Sequence, residues 1–98
     1  MVKRKKIVWS AKARNDLFAI LEYYHMRNGN SQFSEKLFKK IKKDITLLRT
    51  QSFLGKITDY ENIRVIVVWD YLLFYEVFPD AILITNIWDS RRNPEDVG

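Results

Sequence analysis

The chain has 98 residues, of which 47% are hydrophobic, 14% aromatic and 30% charged, a length and composition suited to one domain and one core, and unlike a disordered segment. It has no cysteine and a single histidine, His25, which excludes a disulfide framework, a thiolate zinc site, a cysteine nucleophile and a multi-histidine metal centre. The formal charge is +5 but unevenly placed: residues 1–50 carry 13 basic against 4 acidic residues, and residues 51–98 carry 4 against 8. A basic half of that density attracts a polyanion or an acidic protein partner through its long-range field.

Lys5 to Trp9 is a short β-like run that ends at Ser10, a good N-cap residue. The basic cluster Lys3-Arg4-Lys5-Lys6 precedes an apolar run too short for a signal peptide, so a cytoplasmic protein is expected, with no membrane partner. Leu17, Ile20, Leu21 and Tyr24 then recur at helical spacing, and Asn28-Gly29-Asn30 supplies a stop, which predicts a helix over 11–28. A second helix starts at Ser31 or Ser34. Its apolar stripe is Phe33, Leu37, Ile41, Ile45 and Leu48, with lysines on the remaining surface. Residues 50–62 read as a connecting loop containing Gly55.

Three runs rich in β-branched or aromatic residues follow, over 63–69, 71–78 and 81–88, punctuated by Trp69-Asp70 and Pro79-Asp80. Their near-continuous apolar character predicts a sheet covered on at least part of both faces. The order β-α-α-β-β-β predicts an α+β fold, a helical hairpin on a mostly antiparallel four-stranded sheet, forming a single domain over 1–98.

Read in order, these stretches resemble the RelE/ParE superfamily of toxins from bacterial type II toxin–antitoxin systems. The resemblance is carried by Ile7-Val8-Trp9-Ser10-Ala11-Lys12-Ala13 with Asp16-Leu17 and Tyr23-Tyr24, by Phe33 to Leu48, by Ile63-Arg64 through Val77, and by Trp88-Asp89-Ser90-Arg91-Arg92-Asn93-Pro94. It implies a growth-inhibiting toxin, plasmid stabilisation among its family roles, silenced by a cognate antitoxin that is expected to be acidic. Operator DNA would be met only through the antitoxin complex. RelE-like members cut mRNA in the ribosomal A site, whereas ParE-like members inhibit DNA gyrase without nuclease chemistry.

Metal-free RNA cleavage needs a base for the 2′-hydroxyl, cations for the developing phosphorane charge and an acid for the leaving oxygen. The resemblance assigns Arg64, Arg91 and Arg92 to such a set. Ile66 and Leu72, however, stand where further cations are expected, and no Tyr or His follows Arg92. The deficit points to the ParE-like branch. Arg91, Arg92, Trp88, Tyr71 and Tyr75 are then the candidate target contacts, with core packing the first expectation for the two tyrosines. Arg64, flanked by Ile63 and Val65, needs a partner or an open site. No phosphate-cradling glycine loop is present, and no metal or other cofactor is expected.

Overall fold

The computed structural model describes residues 4–91. Strand β1 (Lys6–Trp9) leads into helix α1 (Ala11–Asn28), then α2 (Gln32–Leu48), β2 (Lys56–Ile57), β3 (Ile63–Val68), β4 (Tyr71–Val77) and β5 (Ala81–Asp89). The Ser10 hydroxyl accepts from Ala13 N at 3.0 Å and donates to Thr85 O at 2.8 Å, so the cap of α1 also fixes the helix to β5. At the other end Gly29 takes φ 70°, where an added side chain is strained, and its N–H returns to His25 O.

The second helix starts at one of the two serines expected from sequence: Ser31 is the N-cap residue of α2, and its carbonyl accepts from Glu35 N at 2.9 Å. Asn30 Oδ1 accepts from Gln32 N at 3.0 Å, while the Ser31 hydroxyl pairs with His25 Nδ1 at 3.0 Å and caps nothing. Ser34 lies inside α2, buried, and donates to Leu21 O at 2.6 Å, pinning the two helices together.

The sheet order is β1-β5-β4-β3-β2, with β1 parallel to β5 and every other pair antiparallel. The expected α+β fold is present, with five strands rather than four. The additional strand β2 falls in the stretch read as a loop and pairs with Arg64 and Val65.

Both helices pack on one face of the sheet. Leu17, Tyr24, Leu37, Ile41, Ile45 and Leu48 meet Val68, Tyr71, Leu73, Tyr75, Ile82, Ile84 and Ile87 in one core. The expectation of cover on both faces is corrected here. On the opposite face Val65, Leu72, Phe74 and Leu83 are only half-buried, and Val67 is exposed. Thr85 has no register partner on β4, since Phe74 faces Asn86 and Tyr75 faces Ile84. This bulge restores the alternation so that Ile87, like Ile84, points to the helices.

Candidate functional site

A cleft of about 570 Å³ opens between α1 and the end of the β4–β5 hairpin. Helix α1 lines it with Lys12, Asp16, Ala19, Ile20 and Tyr23, one flank of the helix at i, i+4, i+7, i+8 and i+11. The sheet contributes Tyr71, Ile87, Trp88, Asp89 and Arg91. Asp16 Oδ2 accepts from Ile87 N at 3.0 Å, so one carboxylate joins the helix to the strand just past the bulge. The same carboxylate pairs with Lys12 Nζ at 3.1 Å.

Arg91 closes the far wall. Its Nε and one terminal nitrogen fork onto the Asp89 carboxylate at 2.9 and 2.8 Å, and it also donates to Tyr24 Oη at 3.1 Å. Tyr71 Oη donates to Tyr24 Oη at 3.0 Å, which links core, helix and cleft wall in one polar chain. Hydrogen bonds to Asp89 and then Tyr24 hold the guanidinium more firmly protonated than usual. Burial first, then the Tyr24 hydrogen bond, pushes the Tyr71 phenol up from its ordinary value. Behind this network the rings of Tyr23, Tyr24, Phe33 and Trp69 follow one another at centroid spacings of 5.1, 4.4 and 5.7 Å.

The candidates read from sequence do not converge here. Arg91 and Trp88 border the cleft, and Trp88 registers with Leu72 towards the open sheet face. Tyr71 is a buried wall residue. Tyr75 is 0% exposed and therefore cannot serve as a target contact: its hydroxyl donates to Ser52 O at 2.9 Å and accepts from Gly55 N at 2.8 Å. Arg92 lies outside the described residues.

Arg64 does have partners, and they are structural. It donates to Gly55 O at 2.8 Å and Phe53 O at 3.3 Å, with its guanidinium 4.9 Å from the Phe53 ring centre. In register Arg64 faces Tyr75, whereas Asp89 faces Tyr71, four residues along β4. At ~3.3 Å per residue that offset is about 13 Å. Arg64 thus reaches the 53–55 segment while Arg91 reaches Asp89 and Tyr24, towards the other end of β4.

Sequence reasoning singled out Asp16 and Tyr23-Tyr24 only as parts of a resembling stretch, and it missed Lys12 as a cleft residue. The available signal was the Lys12–Asp16 spacing of four beside an off-stripe Tyr23. Among the described residues there is no cluster of His, Asp and Glu fit to hold a metal, and no helix is long and apolar enough to cross a membrane.

Comparison with known proteins agrees with the architecture. No curated protein matches the sequence significantly. A chain of the chromosomal ParDE toxin–antitoxin system of P. aeruginosa superposes with a TM-score of 0.75 at 22% identity, over 86% of this chain and 94% of that one. A chain of the E. coli DinJ–YafQ toxin–antitoxin complex superposes with a TM-score of 0.55 at 14% identity, over 88% of this chain and 92% of that one. Both show the fold. The family described as the ParE toxin of the type II toxin–antitoxin system parDE matches residues 7–94, from the first strand through the arginine pair to Pro94. With nine-tenths of its length accounted for in this way, the chain belongs to the ParE family of type II toxins.

Proposed function

We propose that this single-domain toxin arrests growth in the cytoplasm by binding DNA gyrase, and that an acidic antitoxin holds it inactive. The observation that carries this reading is the engagement of Arg91 by Asp89. A nuclease needs uncommitted cations around the scissile phosphate, and among the described residues of the cleft each cation already sits on a carboxylate: Lys12 on Asp16 and Arg91 on Asp89. Those four charges cancel. Such a cleft has little pull on a phosphodiester, but its aromatic and apolar lining between two ion pairs suits a protein surface.

The test is gyrase supercoiling with purified toxin, run beside mRNA on programmed ribosomes. Loss of supercoiling with intact mRNA, and relief of that loss by Trp88→Ala or Tyr23→Ala, is the expected result. A-site cleavage that disappears in folded Arg91→Ala would instead establish a ribosome-dependent endoribonuclease. Unimpaired growth on induction without antitoxin would leave a decayed toxin that retains antitoxin binding alone.

A further inference from the structure

The solvent side of α2 carries charge of almost one sign. Lys36, Lys39, Lys40 and Lys43 stand at i, i+3, i+4 and i+7, within an arc of about 100° and along about 10 Å of the helix axis. Lys36, Lys39 and Lys43 are exposed. On the opposite side Leu37, Ile41, Ile45 and Leu48 are buried in the core, so the lysines project from a helix fixed through its other face.

Of the four, Lys40 has a carboxylate partner, Asp44 Oδ1 at 3.1 Å. Among the described residues Lys36, Lys39 and Lys43 have none, although Glu35 lies four positions before Lys39, a spacing at which helical ion pairs form. Lys36 with Lys40 and Lys39 with Lys43 are instead like charges at i, i+4, an arrangement that destabilises a helix. Solubility alone does not require it, since α1 meets water with Lys12 paired to Asp16.

The residue types narrow the ligand. The stripe holds no aromatic residue and no arginine, so it lacks both the anchors of a protein interface and a platform for stacking unpaired bases. The apolar side of the helix is spent on the core and is not available to a lipid surface. A row of compact ammonium groups suits a polyanion bound by charge alone, and a nucleic-acid duplex presents one negative charge per ~1.7 Å of its axis.

We infer that the outer face of α2 binds the phosphate backbone of duplex DNA through Lys36, Lys39 and Lys43, without reading its sequence. The duplex contact rests on the stripe; the choice of DNA over an RNA duplex rests on the gyrase reading above. No residue of α2 lines the cleft beside α1, so a toxin held through that cleft keeps this face open to the DNA on which gyrase acts. The chain thereby gains a DNA contact of its own, beyond the operator contact expected through the antitoxin.

The test is fluorescence anisotropy of a labelled DNA duplex of arbitrary sequence titrated with the full chain, without gyrase, over a range of salt. Three phosphate contacts predict a slope of about −2.7 for log affinity against log salt, or a ~40-fold loss between ~50 and ~200 mM. Lys39→Gln/Lys43→Gln leaves one contact, so the slope should fall to about −0.9 and low-salt binding should weaken at least ~10-fold. Both positions are exposed, and an unchanged circular dichroism spectrum checks the fold. Arg27→Gln/Lys56→Gln removes the same net charge at exposed positions off α2 and should retain the parental slope. Equal losses in the two double variants would mean that net charge, not the stripe, drives binding, and would overturn the inference. So would no binding at low salt, or tighter binding to an RNA duplex of the same sequence. Stripe-dependent DNA binding by a toxin that leaves supercoiling intact would refute the gyrase reading and uphold the DNA contact.

Discussion

Replacing Tyr75 by Phe removes one oxygen atom from the centre of the molecule. That oxygen donates to Ser52 O and accepts from Gly55 N, and the phenol carrying it is fully buried. Phe preserves the ring and its packing, so no large cavity forms. Two buried backbone groups lose their partner, at a cost of ~1–3 kcal/mol for each group left unsatisfied. Partial relaxation of the 52–57 segment lowers the total, to about 2–4 kcal/mol. A domain of this size holds ~5–15 kcal/mol. At ~4–8 °C per kcal/mol, the thermal midpoint should fall by roughly 10–25 °C.

Urea unfolding followed by circular dichroism measures the loss, with an unchanged slope marking an effect on stability alone. Tyr23→Phe, at an exposed position whose hydroxyl contact with Arg27 is at the surface, should cost less than ~0.5 kcal/mol and serves as the control. A Tyr75→Phe loss as small as the control's would show that water reaches Gly55 and Ser52. The structural role assigned to this tyrosine would then be wrong.

Other perturbations test the same frame. Arg64→Leu should destabilise by about 1–2 kcal/mol, because its guanidinium grips the Phe53 and Gly55 carbonyls. Combined with Tyr75→Phe the loss should fall short of the sum, since both hold one segment; strict additivity in urea titrations would refute that coupling. Gly55→Ala places a Cβ 2.6 Å from Tyr75 Oη and 2.8 Å from Val65 O, so calorimetry should register a loss above ~1 kcal/mol, and a neutral result would contradict the close packing. Asp16→Ala strips the acceptor from Ile87 N and should cost ~1–2 kcal/mol, with Asp16→Asn milder because its amide oxygen still accepts. Burial raises the phenols of Tyr71 and Tyr75, so the folded chain keeps their protons while the unfolded chain releases them near pH 10. Their contribution is therefore complete below about pH 10 and lost as pH climbs above it, and Tyr71→Phe should flatten that alkaline limb in pH-dependent denaturation.

Much of the scaffold was legible because its signals are local or periodic. Ser10 and Gly29 bound α1 as their chemistry predicts, and the Phe33–Leu48 stripe lies along one helix face because 3.6-residue spacing requires it. Strand β2 was not legible. Two residues carry no periodicity, and Lys56–Ile57 pairs with β3 only where Tyr75 and Arg64 draw Gly55 inward from 20 and 9 positions away in the chain. The start of α2 was legible only as a choice between Ser31 and Ser34: Ser31 holds the cap position while its hydroxyl pairs with His25, and Ser34 lies inside the helix with its hydroxyl on Leu21 O, both partners on the preceding helix. The uncovered sheet face escaped notice because half-exposed valines and leucines look the same in sequence as buried ones.

The site shows the same division with larger consequences. A list of arginines suggests a phosphate clamp, since Arg64 and Arg91 are the right residue type. Whether a cation can act depends on what already holds it, and that is fixed by tertiary placement. Arg91 is held by a carboxylate two residues before it and by a tyrosine 67 residues before it; Arg64 is spent on the Phe53 and Gly55 carbonyls. An Asp89→Asn substitution separates inventory from engagement. It leaves every cation in place while weakening the fork that neutralises Arg91. If neutralisation is what keeps this cleft from phosphate, Asp89→Asn should bind a short RNA more tightly than the parent protein does, in a salt-dependent manner, and Asp89→Asn/Arg91→Gln should not. Equal RNA binding by the parent and Asp89→Asn would mean that the Asp89 fork does not govern phosphate access, and the argument from charge balance would fail.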